Sequence, residues 1–159
     1  MRRLVLPLVL SFAAGPALSL SCLPMDVATS FNDAVAASER YIIVHGTLEF
    51  DEGKLPEVDM DRQDQTPPQT DIPARLRGKS LSKSGFKTDF DRPITLRAMC
   101  LGPWCGRAVS GTEYLSFLQI TDDGYMLAVN PCGGFDFAEP TGAMLNTVKR
   151  CFKDGTCAN

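Results

Sequence analysis

Six cysteines constrain this 159-residue chain more than any other feature, because an even set in an oxidising compartment becomes a framework of cross-links. They are Cys22, Cys100, Cys105, Cys132, Cys151 and Cys157. The chain opens Met1-Arg2-Arg3, runs through the largely apolar stretch Leu4 to Leu18, and reaches small residues ahead of Leu20-Ser21-Cys22-Leu23-Pro24. That is the layout of a secretory signal peptide. Cleavage after Ser19 satisfies the small-residue rule through Ala17 and Ser19, and cleavage after Ser21 satisfies it through Ser19 and Ser21. Segment 1–19, or 1–21, is therefore expected to be removed, leaving a periplasmic or secreted product. The alternative is an outer-membrane-type lipoprotein carrying its lipid on Cys22. Against it, Ser19 stands three residues before Cys22 where an aliphatic residue is wanted, and lipidation would leave an odd five cysteines.

The chain carries 16 basic and 19 acidic residues, and loss of Arg2 and Arg3 leaves 14 against 19, a net charge of −5. Nucleic-acid binding draws on clustered Lys and Arg that replace counterions along phosphates, and no such block is present. Arg75, Arg77, Lys79, Lys83 and Lys87 fall close together but are separated by Ser, Gly and apolar residues, so they read as a solvated strand face. Beyond the signal, no apolar run approaches the roughly 20 residues that span a bilayer, and no transmembrane segment is expected. The remaining residues, 20–159, suit one domain with a modest core.

Val27, Phe31 and Val35 recur at four-residue spacing within Met25 to Arg40, which predicts an amphipathic helix with Asp26 as its cap. Tyr41 to Phe50 is β-branched and aromatic and predicts a strand. Residues 51–71 are acidic, contain Pro56, Pro67 and Pro68, and lack periodicity; they are expected to form a long exposed loop, disordered or reserved for a partner. Strand character returns at Ile72 to Leu81, with Gly78 as a bend, then at Gly85 to Phe90 and at Ile94 to Met99. Tyr114 to Ile120, Asp122-Asp123-Gly124 and Tyr125 to Val129 predict a tight hairpin. Met144, Leu145, Val148, Cys151 and Phe152 predict a closing helix after Thr141. The expected class is mainly β with flanking helices, an OB-like five-stranded β-barrel stapled by disulfides, with a small β-sandwich as the alternative.

Catalytic and metal chemistry find little support in the sequence. His45 is the one histidine, and with the cysteines paired too few nitrogen and sulfur ligands remain for a closed zinc site, so neither a metal nor another cofactor is expected. The adjacent carboxylates Asp89 with Asp91 and Asp122 with Asp123 are common turn residues. Cys100 and Cys105 enclose four residues, whereas redox pairs use Cys-x-x-Cys at a helix start, so this pair reads as a structural staple with Trp104 covering a core edge. The chain is therefore read as non-enzymatic, with an enzyme of unrecognised type as the third expectation after two binding readings.

Ser21-Cys22-Leu23-Pro24, a following helix, the strand from Tyr41, Cys105-Gly106, Tyr114 to Leu118, Asp123-Gly124 and Cys132 together resemble the netrin-like domain. That family includes the tissue inhibitors of metalloproteinases and exported bacterial homologues. The resemblance implies one OB-type domain over 20–159, with the N-terminal segment clipped by disulfides onto the Cys-Gly loop and a strand-end cysteine. Animal inhibitors begin Cys-x-Cys-x-Pro and chelate the protease zinc through the first cysteine; here Leu20 stands in its place and Cys22 matches the second. The resemblance implies Cys22 with Cys132, Cys100 with Cys105, and Cys151 with Cys157. It also implies a protein partner, an exported hydrolase whose cleft receives Leu20, Ser21, Cys22, Leu23 and Pro24, with Ser21 entering the substrate pocket. OB-type strand faces also take extended ligands, so a glycan or small ligand is the second expectation.

Overall fold

The computed structural model describes residues 20–23 and 25–157. The expected signal segment 1–19 and Pro24 of the expected binding segment lie outside the described residues. The first helix, α1, spans Val27–Ala36, shorter than the expected Met25 to Arg40. Asp26 caps it by accepting a hydrogen bond from the Thr29 amide at 2.7 Å. Strand β1, Tyr41–Phe50, matches its expected bounds. It is followed by β2 (Gln69–Ser82), β3 (Gly85–Leu101), the short β4 (Trp104–Cys105), β5 (Thr112–Thr121), β6 (Gly124–Val129) and β7 (Asp136–Ala138). Helix α2, Gly142–Asp154, closes the chain, with the Thr141 hydroxyl accepting from the Met144 amide.

Hydrogen bonding links the strands in the order β1-β2-β3-β6-β5, and β5 returns to pair with β1, so five strands form one ring. The five strands of the ring belong to one hydrogen-bonded sheet. All pairings in the ring are antiparallel except β3 with β6. Where β1 crosses β2, Gly46 sits opposite Gly78, and a Cβ on either would strike the other strand's backbone carbonyl. The expected bend at Gly78 is thus a close crossing that only two glycines permit.

Two further boundaries differ from the sequence reading. Gly85 to Phe90 and Ile94 to Met99 belong to one strand of 17 residues that passes through Pro93. Pro93 is tolerated because β6 pairs with β3 only from Thr95, leaving the strand one-sided at the proline. Residues 69–71 belong to β2, so the exposed connection ends earlier than expected. Within that connection two turns of 3-10 helix form, at Glu52–Lys54 and Gln63–Gln65. Leu55 packs on the core and Pro56 is buried, which gives the segment a defined path in place of the expected disorder.

Two apolar clusters divide the interior. Val44, Leu48, Ile72, Leu76, Leu96, Leu118 and Leu127 fill the ring. Val27, Phe31, Ile43, Leu115, Phe117 and Val148 form a second layer between the outside of β1 and β5 and the two helices. Alternation along β1 explains both layers, because Val44 and Leu48 point inward while Ile43 points to the helices.

The helices are fastened by polar contacts with no periodic signature. Asn32 on α1 donates its amide to the Cys157 carbonyl at 3.1 Å and accepts from the Cys157 amide at 2.8 Å. Ser30, fully buried, donates its hydroxyl to the Gly134 carbonyl. Asn32→Ala is expected to cost about 1–3 kcal/mol, since it strands two backbone groups at the C-terminal disulfide loop. Urea denaturation would measure it, and a change under 0.5 kcal/mol would mean that water replaces the clamp.

Candidate functional site

The candidate site is the end of the ring where the N-terminal segment meets two connecting turns. Six cysteines form three pairs: Cys22–Cys132 with Cα atoms 5.3 Å apart, Cys100–Cys105 at 4.0 Å and Cys151–Cys157 at 4.7 Å. These are the pairs that the resemblance implies. In this disulfide-bonded form the Cys22 sulfur is committed to Cys132.

Cys132 lies just beyond β6 and holds Cys22 against the turn that follows that strand. The β3–β4 hairpin packs on the same strand end. Gly106 approaches Val129 so closely that a Cβ there would meet the Val129 carbonyl, and its amide donates to Met99 at 2.7 Å. The Cys100 amide donates to the Pro68 carbonyl at 2.9 Å, joining the acidic connection to the hairpin. At its other end, Glu52 accepts from the Ser110 amide at 2.6 Å. A tethered N-terminal segment, a disulfide-closed hairpin and the acidic connection are thereby linked through β6 and residues 100–111.

Leu20 is half-buried, whereas Ser21, Cys22 and Leu23 are exposed. Leu23 is 83% exposed, the largest value among the described large apolar side chains, and Leu101 in the hairpin is 56% exposed. Trp104 is half-buried with its ring beside Gly102 of the hairpin, and it is not among the side chains packed on the two apolar clusters, so the expected covering of a core edge is not seen. No family model, curated protein or solved structure matches the chain.

The basic residues of β2 are committed elsewhere. Arg75 and Arg77 pair with Asp91, Arg77 also with Glu49, and Lys79 with Asp89. Asp71 takes two parallel hydrogen bonds from Arg97 at 2.6 and 2.7 Å, which hold its carboxyl below the ordinary carboxylate range. The outward face of β2 and β3 is therefore a ladder of ion pairs. It explains why Asp89 and Asp91 are adjacent: each faces a cation across the strand.

His45 lies on the outside of β1, its Nε2 3.8 Å from the Glu113 carboxylate and its ring edge-on to Phe86. Asp122 and Asp123 occupy the exposed β5–β6 turn, and among the described residues no three His, Cys, Asp or Glu side chains gather as a metal site would require. The sequence reading missed Asp136. It faces Ser116 across the β5–β7 pair, and neither the Asp136 Oδ1 nor the buried Ser116 hydroxyl has a hydrogen-bond partner. Burial pushes the Asp136 carboxyl up to about 7, against the opposing pull of its own backbone amide. No periodicity marks it, because β7 has only three residues.

Proposed function

We propose that the chain is an exported, non-catalytic netrin-like binding module of OB type that engages a protein partner through its N-terminal segment. Two observations support the family reading. Setting aside the two-residue β4, the strands follow the order 1-2-3-5-4-1 with one parallel closure, and a Cys22–Cys132 bond ties the N-terminal segment to the ring. The observation that carries the functional reading is an exposed apolar side chain, Leu23, adjacent to a cysteine anchored on the framework. Tethering reduces the ordering entropy that a free terminus would lose on binding. With Leu20 in place of a first cysteine, the chelating pose of the animal inhibitors lacks its second clamp, so the partner is gripped by the segment's side chains and backbone. The proposed partner is an exported hydrolase with Ser21 entering its cleft. Three disulfides fit an oxidising compartment, and among the described residues no helix is long and apolar enough to cross a membrane.

A glycan or small ligand on the strand face is the weaker reading, since the outward face of β2 and β3 carries paired charges and no aromatic platform. The test is capture of an exported hydrolase by the processed protein, compared with Leu23→Glu and with Lys79→Glu. We expect Leu23→Glu to weaken capture at least tenfold while Lys79→Glu leaves it unchanged. The reverse pattern would move the binding surface to the strand face and overturn the N-terminal reading.

A further inference from the structure

The closely spaced cations Arg75, Arg77, Lys79, Lys83 and Lys87 divide into two groups in the fold. Arg75, Arg77 and Lys79 are held by Asp91, Glu49 and Asp89, whereas Lys83 and Lys87, both exposed, make no ion pair among the described residues. They flank the turn that joins β2 to β3, where Gly85 takes a φ of 95°. A Cβ on Gly85 would stand 3.8 Å from the Lys149 side chain, so α2 lays that lysine across the turn.

Helical periodicity extends the same charge. Val148 and Cys151 are buried, which places Lys149, Arg150 and Lys153 together on the outer arc of α2, and none of the three makes an ion pair among the described residues. Residues 80–88 and Gly142–Asp154 together hold five basic residues and one acidic residue, Asp154, in a chain whose expected processed form carries a net charge of −5. Asp89, the next carboxylate along β3, is taken by Lys79. The helix dipole accounts for Lys153 in the last turn, but Lys83 and Lys87 belong to no helix, and Lys149 and Lys153 repel at four-residue spacing. One sign of charge therefore prevails where the turn meets the helix, and it selects an anionic partner. The surface is convex, a turn beside the outside of a helix, with Phe152, 36% exposed, on its flank. Flexible lysines suit an array of phosphates, and an exposed aromatic at their edge suits the interfacial layer of a bilayer.

We propose that the β2–β3 turn and the outer arc of α2 dock on an anionic phospholipid surface, with Lys83, Lys87, Lys149, Arg150 and Lys153 against the headgroup phosphates. Gly85 opens β3, whereas the hairpin beside Cys132 follows the far end of that strand, so this surface is separate from the N-terminal segment and does not rest on the reading above. The test is co-sedimentation of the processed, oxidised protein with vesicles of phosphatidylglycerol and phosphatidylcholine in equal parts, with phosphatidylcholine vesicles and soluble dextran sulfate as comparison probes. We expect binding to the anionic vesicles alone among the lipids, lost at high salt. Each lysine removed should weaken it about fivefold, so Lys83→Gln/Lys87→Gln and Lys149→Gln/Lys153→Gln should each bind about thirtyfold more weakly. Lys83→Arg/Lys87→Arg should bind as the natural chain does, and so should Lys54→Gln, at an exposed cation in the acidic connection. Equal binding to phosphatidylcholine, an equal loss in Lys54→Gln, no loss in either glutamine pair, or binding to dextran sulfate with none to the vesicles would each overturn the assignment.

Discussion

Serine at both Cys22 and Cys132 is expected to lower the unfolding free energy by about 4–5 kcal/mol in the chain-entropy model. The bond closes a sequence separation of 110 residues, against 5 and 6 for the other two, which by the same reasoning contribute about 2 kcal/mol each. Both cysteines must be replaced together, since a single change leaves a free thiol able to exchange. The consequence reaches the binding surface, because Cys22 is the only covalent hold on the exposed Ser21 and Leu23 apart from the chain itself. Guanidinium denaturation of the oxidised protein measures the loss, with the Cys100→Ser/Cys105→Ser variant as reference. A loss no larger than the reference would show that the unfolded chain is already restrained over that span.

The second large effect is a decline of stability with rising pH through the interval from about 4 to about 7. Asp136 is the cause. Its carboxyl has an ordinary value of 3.8 and is raised to about 7 by burial, so within that window the folded chain keeps a proton that the unfolded chain has released. Folding therefore binds protons there, and stability falls as pH rises, levelling off above 7. At about 1.4 kcal/mol per unit, the ceiling is roughly 4 kcal/mol. Asp26, Asp71 and Asp91 act in the opposite direction, being held below their ordinary range by the Thr29 amide, Arg97 and Arg75 respectively. Their contributions are lost only as pH falls below about 4, outside this window. Asp136→Asn should flatten the profile between pH 4 and 7 and be more stable than the natural chain at pH 8. Denaturation midpoints across that range would reveal it, and superimposable profiles would show that Asp136 stays ionised in the folded state.

These two groups illustrate how unevenly the molecule can be read from its residues. Tyr41 to Phe50 announces a strand through composition, and Thr141 with the helical spacing of Val148 and Cys151 announces α2. The β5–β6 hairpin follows from Asp123-Gly124 between apolar runs, because Gly124 takes a φ of 127° that other residues avoid. The expected break between Phe90 and Ile94 is absent, since β3 runs through Pro93 where one edge of the strand is unpaired. The charge ladder of β2 was half legible: Arg75, Arg77 and Lys79 show as an alternating face, but their partners Asp91 and Asp89 depend on the β2–β3 register.

The residues themselves determined the elements with strong local signals: an even cysteine set, a capped helix at each end, and alternating strands with a glycine turn. Local rules act over a few residues, where spacing, backbone preference and capping speak directly. Only the tertiary structure decided the return of β5 to β1, the placement of Asp136 opposite Ser116, the grip of Asn32 on Cys157 and the meeting of Lys149 with the turn at Gly85. Asn32 and Cys157, for example, lie 125 residues apart in sequence, and no periodic pattern spans such a distance. Burial and hydrogen bonding act through space, so the chemistry of these side chains exists only once the ring has closed.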